Sequence, residues 1–342
     1  MKILITGGAG FVGRRFCKAL LEQQHEVVCV DSLAKDTGCI HPEKGWFGIN
    51  PFDYRNFTFH NEDCRDYFKK HQEGFDEVYH LAAMVGGRLM IENFPLAVGD
   101  DLSIDAMYWQ WAQANNIKKT IYFSSSAAYP ITLQKPEGYR LLREEDIDFS
   151  KDLGMPDLSY GWAKLTGEYI AKLAYEKHGL KSVVYRPFSG YGEDQDLAYP
   201  FPSICLRALE NNNTKEFQVW GSGRQMRDFI HIEDCVKGVL ATKDKIDDGS
   251  AINLSSGVFT SFIDLAQKVT NLVGYNPEVK GKSDKPEGVF ARGGDITKQL
   301  ALGFKPSISL EDGIRGCLNH LVDTRWEVLL KYIRNQYGQH NR

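Results

Sequence analysis

An α/β fold built on a doubly wound parallel sheet, with a smaller C-terminal substrate-binding lobe, is what three features of this chain predict. Short apolar runs rich in β-formers recur through the first half, a glycine-rich turn follows the first of them, and the texture shifts to shorter elements after Tyr191. The runs are KILIT (2–6), EVVCV (26–30), EVYHL (77–81), TIYFS (120–124) and SVVYR (182–186). Continuous rather than alternating apolar character suits strands covered on both faces, and right-handed crossovers between such strands give a doubly wound sheet.

Between the runs, helical spacing of apolar residues is clearest in FVGRRFCKALLEQ, over 96–116 around Met107, Trp109 and Trp111, and over 160–179, which ends on a glycine. Beyond Tyr191 the spacing predicts strands at EFQVW, RDFIHI and AINLS and helices at 200–210, 232–242, 261–273 and 309–321. The expected organisation is therefore a dinucleotide-binding domain over 1–190, with segments near 230–258 returning to it, a substrate-binding lobe over 191–322 and a tail over 323–342. Two irregular stretches, 32–56 and 130–157, exceed ordinary connections and are expected to be site-covering loops. The aromatics of the first, Trp46, Phe47, Phe52 and Tyr54, suit either a lid or partner surface, or packing onto the sheet.

The 342 residues are enough for one large α/β unit with a second lobe. A formal charge of -4 gives no electrostatic reason to expect nucleic acid or an anionic membrane as partner. Seven scattered cysteines without a C-x-x-C pair read as reduced thiols, and no metal site is expected. With no long hydrophobic stretch at MKILITGGAG, the expectation is a cytoplasmic protein.

In ITGGAGFVG, directly after the first strand, Gly7, Gly10 and Gly13 have the spacing for a tight turn, a close approach to a pyrophosphate and close packing of helix on sheet; Gly8, Gly10 and Gly13 satisfy the other common spacing. Asp31, at the end of the second strand, is an acceptor for a ribose 2′-hydroxyl and repels a 2′-phosphate, which favours NAD over NADP. The nearby Arg14, Arg15 and Lys35 are read as solvated charges. Tyr160 and Lys164 stand four apart on a predicted helix and so share a face. An ammonium beside a phenol is expected to lower its pKa from about 10 toward neutrality, making tyrosine a usable base for a sugar hydroxyl. Ser125, in SSSAAYP at a strand end, can hold the same hydroxyl; Ser124 and Ser126 are the alternatives.

Together TGGAGFVG, Asp31, NEDCRD (61–66), HLAA (80–83), SSSAAYP, Tyr160 with Lys164, RPFSGYG (186–192) and GSGRQMRDFIHIED (221–234) resemble a family. It is the extended short-chain dehydrogenase/reductases acting on nucleotide sugars, the NAD-dependent epimerase/dehydratase family, and the resemblance covers nearly the whole chain. It implies a Rossmann domain with bound NAD and catalytic Ser125, Tyr160 and Lys164. Cofactor contacts implied are Gly7, Gly10, Phe11, Val12, Gly13 and Asp31, Asp63 and Cys64 beside the adenine, Leu81, Ala82 and Ala83 along the cofactor, Ser124, Tyr160 and Lys164, and Pro187 near the nicotinamide. Substrate contacts implied are Gly86, Gly87, Arg88, Ser125, Ser126, Tyr160, Ser189 and Val219, with Arg227 and Arg292 on the diphosphate. The expected partners are a nucleotide-diphosphate sugar and, through helices 96–116 and 160–179, a second copy in a homodimer.

The departures narrow the expected chemistry. Where the family's 4,6-dehydratases carry an Asp-Glu pair, this chain has Ser126 and Ala127. The stretch AAMVGGRLM (82–90) and the ending AAYP look like GDP-mannose 3,5-epimerases and GDP-fucose synthases, yet those carry a cysteine at the position of Ala127, and a methyl group takes no proton. Their lysine or histidine acid comes from the segment that here reads EDQDLAYP (193–200), so 3,5-chemistry would need Cys205 or another thiol to reach the site. Ser189 replaces the usual asparagine. What remains is expected to be an NAD-dependent nucleotide-sugar epimerase that transiently oxidises carbon 4. The alternatives are a 4-dehydrogenase or 4-ketoreductase, a 3,5-epimerase, or an NAD-binding sensor without turnover.

Overall fold

A computed structural model describes the chain except Asp36, 85–87, Asn213, Pro286 and 325–342, and describes 88–90 by backbone alone. The chain runs β1 (Lys2–Thr6), α1 (Phe11–Glu22), β2 (Glu26–Asp31), β3 (Phe57–Asn61), α2 (Cys64–Lys70), β4 (Glu77–His80), α3 (Arg88–Asn93), α4 (Pro95–Val98), α5 (Asp100–Ala114) and β5 (Thr120–Phe123). It continues through α6 (Leu158–His178), β6 (Ser182–Pro187), β7 (Ser189–Tyr191), α7 (Pro200–Glu210), β8 (Glu216–Trp220), β9 (Met226–His231), α8 (Ile232–Thr242) and β10 (Asp248–Leu254). The last elements are β11 (Phe259–Ser261), α9 (Phe262–Val273), β12 (Glu278–Lys282), β13 (Ala291–Arg292), α10 (Thr297–Ala301) and α11 (Leu310–Thr324).

Seven strands form one parallel sheet in the order β10-β6-β5-β4-β1-β2-β3. Alternate residues of each strand serve opposite faces: Ile3 and Ile5 pack with Phe16 and Leu20 of α1 and Val236 of α8, while Leu4 packs on the side of α2, α5 and α6. This double coverage is why the strands read as continuous apolar runs. Strand order reverses between β1 and β4, and at such a reversal the carboxyl ends of the strands open a crevice suited to a ligand. Helices α7, α9 and α11 enclose a second core around Phe201, Leu265 and Ile314. In front of it β9 pairs with β7, β11 and β13. Among the described residues no helix is long and apolar enough to cross a membrane.

Several expectations change in detail. The single helix expected at 96–116 is interrupted: α4 is a four-residue turn opening at Pro95, and Gly99 separates it from α5. Trp109 and Trp111 face the sheet core. Strand β3 escaped the sequence reading because it is an edge strand with only one fully buried residue, Phe57. Trp46 of the long loop is buried, donates from Nε1 to the Ile40 carbonyl at 2.8 Å and packs edge-on against Phe57, so this residue is core. Arg14 and Arg15 are not solvated. Both are buried; Asp194 pairs with Arg14 Nη2 at 2.9 Å and Arg15 Nη2 at 2.7 Å, and Arg15 Nε lies 3.2 Å from Glu233. Their partners come from chain segments roughly 180 residues away, which local reading does not reveal.

Candidate active site

The first wall of the crevice is the turn from β1 into α1. Gly7 has φ +70°, and a Cβ there would stand 2.8 Å from the Ala82 nitrogen, so only glycine lets the turn lie against the strand end of β4. A Cβ on Gly13 would meet the Gly7 oxygen at 2.3 Å, which sets how closely α1 approaches the turn. Phe11, Val12 and Gly13 form the first turn of α1, whose amides have no carbonyl one turn behind and face outward as anion donors. Leu81 is held by its N–H on the Thr6 carbonyl at 3.1 Å, which aligns 81–83 beside the glycine turn. Asp31 accepts from the Ala9 N–H at 3.0 Å and the Leu33 N–H at 2.8 Å, tying the turn to the following loop. Burial pushes its carboxyl up, against those hydrogen bonds. Asp63 caps α2 and is gripped by Arg65, whose hydrogen bonds pull its pKa down; Cys64 is buried behind it.

The opposite wall is the start of α6 against the turn after β5. The Asp157 N–H donates to the Ala127 carbonyl at 2.9 Å, and Gly161 packs so tightly there that a Cβ would lie 2.4 Å from the same oxygen. This contact holds the start of α6, and with it Tyr160, against the turn that carries Ser125, whose hydroxyl favours the phenolate. The Ser125 Oγ also accepts from the Ala127 N–H at 3.1 Å. Ser124 is turned away: its buried hydroxyl donates to Glu168, which is locked to Arg186. Ser126 and Ala127 are buried in the turn. Lys164 Nζ lies 5.9 Å from the Tyr160 ring centre and 5.5 Å from that of Tyr122, in a site that leaves the lysine 3% exposed.

The electrostatics differ from the expectation for the phenol. Burial raises the Tyr160 pKa above its ordinary value, and although Lys164 and the Ser125 hydroxyl pull it down, Asp101 and Asp105 push it up again. Lys164 is held protonated: burial works against its charge, but Asp105, Tyr160, Asp101 and Glu168 outweigh it. The reading from residue spacing missed this acid layer. Asp105 Oδ1 meets His80 Nε2 at 3.2 Å and Oδ2 accepts from the Tyr122 hydroxyl at 2.5 Å, while His80 Nδ1 faces Thr6 Oγ1 at 2.7 Å. Asp101 is fully buried, accepts from the Met84 N–H, and is pushed to about 6 by burial. Two acids four apart in the otherwise apolar VGDDLSIDAMYWQW were the available signal.

Two expected substrate contacts, Arg227 and Arg292, lie on the second lobe's side. Arg227 and Arg292 are register partners on neighbouring strands β9 and β13. Arg227 donates to the Met226 and Val289 carbonyls, and Arg292 to Gln134 at 2.7 Å and Asp157 at 2.8 Å. Pro187 ends β6 and Ser189 opens β7. The Val219 side chain belongs to the second core. Cys205 is fully buried in that same core, which keeps its thiol out of the crevice. Gly86 and Gly87 lie outside the described residues, and Arg88 opens α3 with its side chain outside them.

The sequence pattern of the NAD dependent epimerase/dehydratase family matches residues 3–255. The uncharacterized UDP-glucose epimerase YtcB of Bacillus subtilis is 27% identical over 94% of this chain and 98% of its own, and GDP-mannose 3,5-epimerase 1 of Oryza sativa subsp. japonica is 28% identical over 92% and 80%. Among solved structures, the UDP-glucuronic acid 4-epimerase of Bacillus cereus, in complex with UDP-glucuronic acid and NAD, superposes with a TM-score of 0.78 at 26% identity, covering 95% of this chain and 100% of that one. The UDP-glucose 4-epimerase of Thermotoga maritima gives a TM-score of 0.80 at 24% identity, over 95% and 99%, a likeness of fold. The chain belongs to the NAD dependent epimerase/dehydratase family. Its cofactor is NAD, and the residues fit it: glycines let the turn after β1 lie against 81–82 and let α1 start close behind it, and the outward amides of α1 suit the charge of a pyrophosphate.

Proposed function

We propose that the protein is a nucleotide-sugar epimerase that works by transient oxidation at carbon 4, with Ser125, Tyr160 and Lys164 as its catalytic residues. The observation that carries this is the packing of the start of α6 on the Ser125 turn, through Asp157 and Gly161 on the Ala127 carbonyl, with buried Lys164 Nζ 5.9 Å from the Tyr160 ring centre. Ser125 Oγ and the Tyr160 phenol hold the sugar hydroxyl between them, Tyr160 takes its proton as phenolate, and the Lys164 ammonium stabilises that anion. NAD, held by the glycine turn and the first amides of α1, would supply the hydride acceptor and donor for carbon 4. Tyr160 then gives the proton back to the carbon-4 oxygen. Arg227 and Arg292, side by side, suit the diphosphate as guanidinium forks. The working division is 1–190 plus the returning β10 for the dinucleotide and 191–322 for the sugar nucleotide. Exposed Trp162 and Tyr169 on α6 and Leu102 on α5 suit a homodimer contact.

A second reading, 3,5-epimerisation, is favoured by the Oryza relative, a GDP-mannose 3,5-epimerase 28% identical over 92% of this chain. Incubation of the purified protein with UDP-, GDP-, CDP- and dTDP-sugars in heavy water, read by mass spectrometry, separates the two. A new isomer without carbon-bound deuterium is expected, because the migrating hydride never meets solvent; deuterium on carbon would overturn the carbon-4 mechanism.

A further inference from the structure

Away from the crevice, at the β3 edge of the large sheet, two imidazoles and a carboxylate converge. His60 lies on β3, Glu62 follows that strand, and His71 is the residue that closes α2. The chain makes a strand-turn-helix hairpin here, so residues eleven apart in sequence return to one spot. One ligand atom from each of the three lies within 4.8 Å of the others. His60 Nδ1 is 3.8 Å from Glu62 Oε1, and the two imidazole rings are 5.2 Å apart at 72°.

We propose that His60, Glu62 and His71 form a binding site for a divalent transition-metal ion of the zinc class. Neither imidazole makes a hydrogen bond to any described residue, although both are only half-exposed. Each imidazole can turn a ring-nitrogen lone pair toward the Glu62 carboxylate oxygen, so three ligand atoms can converge on one cation. The carboxylate is oriented: Lys70 Nζ holds Glu62 Oε2 at 2.5 Å and leaves Oε1 toward His60. The Tyr67 ring stacks on His71 at 4.2 Å and meets His60 edge-on, walling the histidines from one side.

Two nitrogens and one oxygen select the metal. Calcium and magnesium prefer all-oxygen sites, whereas imidazole with carboxylate suits zinc and its neighbours. Tetrahedral bonds of about 2.0–2.1 Å put ligand atoms roughly 3.3 Å apart, so side-chain rotation closes the observed separations and water completes the shell. An ion here joins the edge strand to the far end of α2. Glu62 also directly precedes Asp63, the cap of α2, so metal occupancy braces both ends of that helix.

The test uses untagged full-length protein stripped with a chelator. Zinc chloride titrated calorimetrically is expected to bind at one equivalent, and cobalt(II) to give tetrahedral visible bands without a near-ultraviolet thiolate band, which excludes the cysteines as ligands. His60→Ala and His71→Ala should each weaken binding at least tenfold, and Glu62→Gln should weaken it while leaving the fold intact. His71→Asn replaces His71→Ala should the latter fail to fold by circular dichroism. Absence of saturable binding, a thiolate band, or affinity unchanged in folded His60→Ala and histidine-71 variants overturns the proposal.

Discussion

Asp105→Asn separates the charge of the buried acid layer from its shape. The asparagine is nearly isosteric and can still accept from the Tyr122 hydroxyl, while its amide can face His80 once the imidazole exchanges tautomer. What it removes is the first opposing charge on Lys164, a group 3% exposed. Without that charge Lys164 should lose its proton at a lower pH. The sign follows from the raised folded pKa: the stabilisation by Lys164 is fully present below its ordinary 10.5 and lost as pH rises through the folded value. In the variant that loss moves down. Asp105 itself has a folded pKa held below 3.8 by Lys164 and His80 in spite of burial, so its own contribution is present above 3.8 and lost as pH falls through the folded value. Removing the carboxylate from buried His80 and Lys164 should cost about 1–3 kcal/mol at neutral pH. The assay is the pH profile of kcat/KM for sugar oxidation, with thermal melts from pH 7 to 10. An alkaline limb that does not move, in a protein that still binds NAD, would refute the idea that Asp105 sets the charge of Lys164.

Tyr160→Phe should abolish sugar oxidation while leaving the Kd for NAD unchanged in calorimetry; retained turnover would remove the phenol from the mechanism. Gly13→Ala places a Cβ 2.3 Å from the Gly7 oxygen, a backbone clash that should cost about 1–3 kcal/mol in a denaturant melt and weaken NAD at least tenfold. Leu158 sits at φ +55° and is 42% exposed, so Leu158→Asn should relieve left-handed strain and gain about 0.5–1 kcal/mol in the same melt; a loss of stability would show that its apolar contacts matter more. Asp31→Ala should narrow the preference for NAD over NADP and cost about 1–3 kcal/mol, because the Ala9 and Leu33 N–H groups lose their acceptor; the readout is the ratio of the two dissociation constants.

Much of the fold was legible because burial on both faces writes itself into composition. KILIT and SVVYR are apolar on successive residues, and only a strand covered on both sides uses such a run. Strand β3 broke that rule, since an edge strand needs one good face and FTFHN buries Phe57 while Phe59 packs on the core half-buried. Tyr160 and Lys164 were legible for the parallel reason that a helix repeats its face every four residues. Their meeting with Ser125 was not, because it depends on Gly161 and Asp157 closing onto the Ala127 carbonyl, a contact between segments thirty residues apart.

Charge was the least legible property, and the reason is physical. A sequence names neighbours along the chain, whereas the energy of a charge depends on how much water the fold removes and which partners it brings. Arg14 and Arg15 look like helix surface until Asp194 arrives, and Asp105 looks like a solvated acid until His80 and Tyr122 close over it. The same step reverses the expectation for Tyr160. Lysine at four residues lowers a phenol's pKa, but burial and two acids raise it by more, so the resting base carries its proton. That state suits a site that must not take a proton before substrate is seated. A sugar hydroxyl bound between Ser125 and Tyr160 offers the phenolate a donor that the empty site lacks, so the fully formed base is expected to depend on the bound substrate as much as on Lys164.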